Sequence, residues 1–554
     1  EAQQRTTPPN EFPTWFGVSQ HVRASRVIWF LDARVAAGYA TSCRRRKGSF
    51  LHVWPHEMSY VAVSVSSGAF MSPIQKSSHE SFVRISLLVG IGLMEGLGCT
   101  PQDVHGTAIE TWGSPADTGS QSQQPWRGGI IQALPPDGMA ERARSASVDE
   151  TGNFLIPAVP AGFYWLAYPD DLTDRFREAN TYVWTDAREF DLGLQGLTML
   201  VPGTARMPMP TPITGLQSVE PGDFMEAYGT SYGWSMSWNL PTPGAITTTW
   251  PTDKAIPFRV SPSEQIIVKQ WQRSLLDNRL LVESTVRAGR SAAPADKDTE
   301  VPVTLTDAAP ASVDVKIDHS AIMGQLSGLS GSFDIQFKLM ADGDPSDALP
   351  GDRNLLLKIS NVTAPAGDPS ANRLRYMDPY PASWSRRYEL QYLSITEYRV
   401  DGTHSIASCR AGLDLFGAAS ELSQGPLRPN LSLPQMLAID GSTAMVGRDD
   451  VELAPTITWK PPAIGEASVY QLRIVQLVKE PEREYHDILA GSFLTSQTEA
   501  RIPAGVLQPG GQYYLELIAV AGLGSDALTT PRAAVARRWS QSSAHVCSAA
   551  FHTR

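Results

Sequence analysis

The chain has 554 residues, is 42% hydrophobic and 19% charged, and carries a formal net charge of −11. That length allows three or four domains, and an acidic balance with no basic stripe argues against a nucleic-acid partner. Its 42 prolines and 44 glycines separate short runs rich in Val, Ile, Thr, Tyr and Trp. Helical periods are scarce, so the fold class is all-β, a tandem of β-sandwich domains.

Residues 1–70 show no sustained hydrophobic period and read as a poorly ordered extension, unstructured or spurious. The apolar run ISLLVGIGLMEGLGC follows at residues 85–99, preceded by Met71, Lys76 and Arg84. A basic start, an apolar stretch of about 7–15 residues and a small residue at its end is the layout of an export signal. The run is shorter than the roughly 20 apolar residues a membrane span needs. With Cys99 directly after Gly98, the segment resembles a bacterial lipoprotein signal. Gly96 and Glu95 depart from that family's pattern, which has Leu three places before the cysteine. The resemblance implies a short signal helix within residues 71–98, a natural start at Met71, and lipidation of Cys99. A plain secretory signal, or a buried strand or helix ending in Gly-Cys, is the alternative.

Four cysteines occur, Cys43, Cys99, Cys409 and Cys547. With Cys43 in the extension and Cys99 carrying lipid, Cys409 and Cys547 remain. Two cysteines in an exported protein can form one bridge; two free buried thiols are the other reading.

Residues 99–203 form the first expected domain. Val104-His105-Gly106 opens it, and the later polar part of residues 100–125 reads as a loop or tether. Residues 147–156, SVDETGNFLI, read as strand, turn, strand. Gly152 supplies the turn's positive φ and Asp149 bonds its backbone. Phe154 and Ile156 then share a face. Another turn follows at residues 157–162, PAVPAG. A strand over residues 163–168 sets Tyr164, Leu166 and Tyr168 on one side and Trp165 on the other, one set facing outward. Asp149, Gly152, Phe154, Ile156, Val159, Pro160, Gly162, Tyr164 and Leu166 together resemble the carboxypeptidase regulatory-like (transthyretin-like) β-sandwich. The resemblance implies a non-catalytic spacer or adhesive, sugar-binding module.

Residues 204–450 carry β segments at 234–238, 264–271, 301–305, 313–317, 333–339, 355–359 and 388–398. They read as one or two further sandwiches. Residues 451–540 contain Pro455-x-Ile457-x-Trp459, Tyr470-x-Leu472-x-Ile474 and Leu507-x-Pro509-Gly510-x-x-Tyr513. This set resembles a fibronectin type III domain, and the resemblance makes Tyr513 the corner tyrosine that bonds backbone just upstream. Residues 541–554 read as a C-terminal tail.

Chemistry-bearing patterns are few. Gly229-Thr230-Ser231-Tyr232-Gly233 fits G-x-S-x-G, but the residues after it alternate like a strand, where a nucleophile elbow needs a helix. A glycine-rich turn is the preferred reading. His105, His319, His404 and His486 are scattered without zinc-ligand spacing. Asp342, Asp344, Asp347 and Asp352 crowd one loop and are candidate calcium ligands, against a solvated acidic loop. Trp112, Trp126, Trp165 and Trp184 are candidate exposed aromatics for stacking on sugar rings, against ordinary packing between domains.

The sequence therefore points to a non-catalytic cell-envelope lipoprotein of stacked β-sandwiches acting in adhesion, spacing or ligand binding. It needs no cofactor, and its partners are the membrane and a surface protein or glycan. One alternative is a carbohydrate- or protein-binding module of a surface complex. The other is a hydrolase whose site lies in residues 204–450.

Overall fold

The structure, a computed structural model, describes residues 101–112, 122–169, 179–197, 205–206, 212–229, 235–240, 243–249, 256–257, 265–276, 280–292, 302–307, 309–329, 332–342, 354–361, 370–400, 404–478, 486–537 and 541–554. They belong to one unit, Leu97–Arg554. The residues before 101, with the extension, the signal segment and Cys99, lie outside this description. The fold is all-β in several sheets. Among the described residues no helix is long and apolar enough to cross a membrane.

Short alternating strands build the N-terminal sandwich. Gln102–Thr107 lies between Asn153–Val159, antiparallel, and Glu189–Asp191, parallel. The facing layer runs Arg144–Ser147, Ile130–Leu134, Tyr164–Pro169, Asn180–Thr185. Val104, Phe154, Ile156, Tyr164, Leu166 and Phe190 fill the space between. The 149–153 turn follows from its residues. Asp149 Oδ1 accepts from the Thr151 and Asn153 amides at 2.8 and 2.9 Å. Gly152 has φ of 86°, and a Cβ there would meet Ile109 Cγ1 at 2.6 Å, so dihedral and space both require glycine.

Two features depart from expectation. The polar stretch read as a loop or tether contains strands, since Ile109–Trp112 pairs with Ser122–Pro125. Ser122–Pro125 sits at a sheet edge, where a strand needs no buried face and tolerates proline, so it carries no apolar alternation. The Tyr164–Pro169 strand has no outward face. Tyr164 through Tyr168 are each at most 2% exposed. Tyr164, Leu166 and Tyr168 enter the local core, while Trp165 and Ala167 enter a second core shared with the rest of the unit.

The central residues hold two cores. The smaller is closed by Pro212–Thr214, which lies between Thr247–Thr249 and Val303–Thr304. Ile213, Val303 and Leu305 there pack on Met225, Trp238, Ile266 and Val268. The larger is built on two long hairpins, Gln265–Leu276 with Leu280–Ala292 and Ser385–Val400 with His404–Ala418. Leu355–Asn361 and Phe333–Asp342 bridge them in one antiparallel sheet. Val282, Phe337, Leu339, Leu357, Ile359 and Leu390 line its inner face. The paired strands Ala309–Val315 and Ala371–Asp378 cover it with the helix His319–Gln325, which is capped by Asp318.

The other face of that sheet carries a charged row. Glu389, Lys338, Lys358, Glu283 and Arg273 stand directly opposite one another on five successive strands. Lys338 meets Glu389 at 3.2 Å, and Glu283 meets Lys358 at 3.9 Å and Arg273 at 2.6 Å. Opposed lysines repel; a carboxylate on the far side of each offsets that cost.

The C-terminal sandwich has one sheet in the order Ser442–Thr443, Gln435–Ile439, Thr456–Lys460, Glu499–Arg501. Its second sheet runs His486–Thr495, Val469–Val478, Gln512–Val520, Ser543–Cys547. Ile457, Trp459, Leu472, Ile474, Leu515, Leu517 and Val546 meet between them. This is an Ig-like, fibronectin type III-like arrangement. It begins before residue 451, and residues 541–554, expected as a tail, supply strands Ser543–Cys547 and Phe551–Thr553. Tyr513 is fully buried, and its hydroxyl accepts from the Gln508 amide at 2.8 Å, making the expected corner.

These layers are joined edge to edge. Hydrogen-bonded pairing runs without interruption through an 18-stranded sheet, from Phe224–Gly229 and Ser235–Asn239 through the central hairpins and the C-terminal sandwich to Tyr164–Pro169 and Asn180–Thr185. Replacing Tyr513 with Phe removes the corner bond to the amide of the exposed Gln508. The expected result is a loss of about 0.5–1.5 kcal/mol in denaturant unfolding with native circular dichroism retained.

Candidate functional site

The residues that decide how the sandwiches are held lie where the second long hairpin meets the C-terminal sandwich. His404–Ala418 pairs with Ser543–Cys547 through only three positions, Gly412↔His545, Leu413↔Ala544 and Asp414↔Ser543. Gly412 has φ of 152°, and a Cβ there would sit 1.9 Å from the Tyr392 carbonyl oxygen. A short ladder of this kind needs help from side chains. Cys409 and Cys547 supply a disulfide across 138 residues of sequence, with Cα atoms 6.1 Å apart. Tyr398 stacks on Tyr514 at 4.2 Å between ring centroids and donates to the Ser548 carbonyl at 2.7 Å. Ser542 Oγ accepts from the Phe416 amide at 3.0 Å and from Asn430 Nδ2 at 2.9 Å.

Beside the disulfide lies a buried charge network. His545 Nε2 is 2.9 Å from Ser543 Oγ and 3.4 Å from Asp414 Oδ2. His545 Nδ1 faces Glu516 Oε1 at 3.5 Å, and Glu516 also pairs with Arg473 on the neighbouring strand. Ser543, His545, Asp414 and Glu516 are all buried. Burial by itself would lower the imidazole's pKa. The hydrogen bonds and charges of Asp414 and Glu516 outweigh it, and the pKa is pushed up to about 9. At neutral pH the network is thus balanced, with Asp414 and Glu516 against His545 and Arg473.

Serine, histidine and carboxylate within reach of each other raise the question of nucleophilic catalysis. The arrangement does not meet its requirements. A general base must be neutral with a free lone pair toward the serine. An imidazolium donates from both nitrogens, so Ser543 Oγ accepts rather than gives up its proton. Asp414 also shares the nitrogen that faces the serine, and the hydroxyl is buried. The network fixes strands; it is not poised to attack a substrate.

A second joint fastens the N-terminal sandwich. Asn180–Thr185 pairs in parallel with His486–Thr495 over four positions. Tyr182 stacks on Phe493 at 4.8 Å, and Trp165 meets Phe493 edge-on at 5.6 Å. Arg532, on the helix Pro531–Arg537 inserted before the last strands, reaches across. It pairs with Glu110 at 2.8 Å, donates to the Leu192 carbonyl at 2.9 Å and lies 4.6 Å from the Trp126 ring centroid. At 1% exposure, removing either partner would leave an uncompensated buried charge, so breaking this clamp costs more than breaking a surface ion pair.

This geometry corrects the expectation of exposed sugar-stacking tryptophans. Trp126 and Trp165 are at most 2% exposed, because the C-terminal sandwich covers the face that carries Trp165 and Arg532 covers Trp126. Trp184 is half-buried, stacked on Phe163 at 5.5 Å. Trp112 ends a strand, and its side chain lies outside the description. So do Ser231, the side chain of Asp342, and Asp344, Asp347 and Asp352. His105 faces Glu189 at 3.5 Å and His319 meets Tyr392 Oη at 3.0 Å, far apart in the fold. Among the described residues no three His, Cys, Asp or Glu side chains are grouped to hold a metal. His545, Asp414, Glu516, Arg473 and Arg532 escaped sequence reading. Their signal was faint, a charged residue at a single position of an otherwise apolar strand, as Glu516 in Tyr514-Leu515-Glu516-Leu517.

No protein family matches the chain, and no curated protein matches it. Among solved structures it is similar to the chicken CNTN1 FN1-FN3 domains, at 8% identity over 82% of this chain and 99% of that one, TM-score 0.13. It is also similar to trypsin-activated alpha-2-macroglobulin from Escherichia coli, at 11% identity over 81% of this chain and 30% of that one, TM-score 0.14. A third similarity is to the BSP domain of a biofilm-associated protein, at 7% identity, 81% and 90% coverage, TM-score 0.12.

The raised pKa of His545 gives a signed expectation. Its contribution to stability is complete below the ordinary value of 6.5 and is lost as pH rises through about 9. Melting temperature should fall across that window, by the equivalent of about 3 kcal/mol. His545→Gln should lower stability at neutral pH and flatten the dependence; an unchanged slope in the variant would place the titrating group elsewhere.

Proposed function

We propose that this chain is an exported, lipid-anchored, non-catalytic β-sandwich protein of the bacterial cell envelope, which holds a contact surface at fixed geometry away from the membrane. The observation that carries the reading is the pair of locked joints. A spacer of independent sandwiches would not need a disulfide, a buried four-charge network and a buried arginine at the boundaries between them. A protein that must transmit position does. The disulfide also suits an oxidising compartment, where such bonds persist.

The anchor in this reading is Cys99, on the strength of the Met71, Lys76, Arg84 and 85–99 pattern. A single acyl chain binds membranes marginally and two or more bind stably, so the lipidated cysteine would need more than one chain. The contact partner is a surface protein or glycan. Trp184 with Phe163, part exposed and stacked, is the aromatic pair best placed to meet a sugar ring.

The test is fractionation of the native protein from a bacterial host beside a Cys99→Ser variant. The native form is expected in the membrane fraction, beginning at a lipidated Cys99, with the variant released. A water-extracted native form that keeps residues before Cys99 would overturn the anchor.

A further inference from the structure

The most completely buried cation in the described residues has a role in neither joint. Lys269 is 0% exposed. It lies on Gln265–Leu276, directly opposite Glu226 on the neighbouring strand Phe224–Gly229. Its Nζ is 2.9 Å from Glu226 Oε2, 2.9 Å from the Leu355 carbonyl oxygen and 3.0 Å from Tyr380 Oη. The Trp271 indole N–H donates to the same Glu226 oxygen at 2.9 Å. Trp271 and Tyr380 wall the site, with ring centroids 5.2 and 5.4 Å from Nζ. On the opposite face of these two strands the small core packs through Met225, Ala227, Ile266 and Val268, so both faces of this strand pair are covered.

We propose that Lys269 and Glu226 condense to an intramolecular amide, a covalent cross-link between these two strands. The assignment goes beyond the anchoring and spacing reading and does not depend on it. The chemistry rests on four features: contact, burial, a donor on the carboxyl oxygen and a hydrogen-bond acceptor on the amine. Burial disfavours the ammonium and outweighs the attraction of Glu226, so the lysine's pKa is lowered. Passing one proton from Nζ to the carboxylate leaves a neutral amine and a neutral acid, the forms a water-poor interior favours.

The steps balance without any outside reagent. The Nζ lone pair attacks Cδ of Glu226, and the carbonyl π electrons move onto oxygen. The Trp271 N–H stands on a carboxyl oxygen where that negative charge collects, as a donor preset for an oxyanion. Tyr380 Oη holds the amine in place by accepting a hydrogen bond from it, and the surplus proton on the attacking nitrogen passes to the carboxyl oxygen that leaves. The tetrahedral carbon then collapses, the C–O bond to the protonated oxygen breaks, and one water departs with one hydrogen from the acid and one from the amine. One C–N bond has formed, one C–O bond has broken, and nothing is oxidised or reduced. The pair was neutral in sum before and is neutral after, so the cross-link replaces a buried ion pair, whose desolvation rivals its attraction, with an uncharged amide.

Peptide mapping of the full, folded chain after reduction and alkylation decides the matter. The expected product is a branched peptide joining the Glu226 segment to the Lys269 segment, lighter than their sum by one water. In Lys269→Arg, which keeps the charge but is not expected to condense, the branched peptide should be lost and the water regained. Recovery of both segments linear and unmodified from the unsubstituted protein overturns the proposal, whatever the variant does. A water loss that maps to an Asp-Gly pair such as Asp440-Gly441, with no branched peptide, overturns it equally.

Discussion

The architecture turns on three residue pairs, those of Gly412 to Asp414 with Ser543 to His545. Among the described residues, they are the strand pairs that tie the last strand of the central hairpin to the C-terminal sandwich. A ladder so short is marginal alone. The fold reinforces it at both levels available to a protein interior. The disulfide two to three residues beyond the ladder closes a loop spanning 138 residues, a constraint on the unfolded chain of about 5 kcal/mol in entropic terms. The charged network beside it contributes through the folded state. It does so only because its members balance: a carboxylate buried without a partner is costly, and two facing one protonated imidazole and one guanidinium are not.

Everything N-terminal depends on that joint through geometry. The C-terminal sandwich offers one face to its own core and the other to the N-terminal sandwich. Leu472, Ile474 and Leu515 face inward, while Val469, Ile518 and Val520 pack with Val104 and Tyr164 in the N-terminal core. The last sandwich in sequence therefore seats the first one. Arg532 shows the same logic. It reaches the N-terminal sandwich from a helix inserted between two C-terminal strands, so chain order does not set neighbour order. A tether of independent modules would bend at each linker. Here the described sandwiches share a sheet and two cores, and a contact made on one is referred to the others.

Much of this was legible in the chain. Strict alternation in Phe333, Ile335, Phe337 and Leu339 gave its strand directly, because a half-buried antiparallel strand leaves no other pattern. Asp149 and Gly152 specified their turn, since few residues satisfy a positive φ. Tyr513 specified a corner five residues downstream of its partner Gln508. These are local dependencies. What stayed hidden is non-local. The segment Ser543-Ala544-His545-Val546-Cys547 has weak alternation and becomes a strand only because Gln512–Val520 and His404–Ala418 flank it. The insertion over residues 521–542 separated it from its hairpin partner and made it look like a tail. Trp126 and Trp165 looked exposable because the sequence shows a strand's two faces and not what lies over them. Asp414, Arg473, Glu516 and His545 are scattered over more than a hundred residues, and only the register of four strands brings them together. The cysteines sat between: their types and number allowed a bridge, but only the structure places Cys409 against Cys547.

The central claim is that the described sandwiches form one mechanically continuous body. Differential scanning calorimetry of the oxidised full chain at neutral pH addresses it most directly. One cooperative transition, with calorimetric and van't Hoff enthalpies in agreement for the β-sandwich part, is the predicted result. Separate transitions for the N-terminal, central and C-terminal sandwiches would contradict it and return the protein to a string of independent modules.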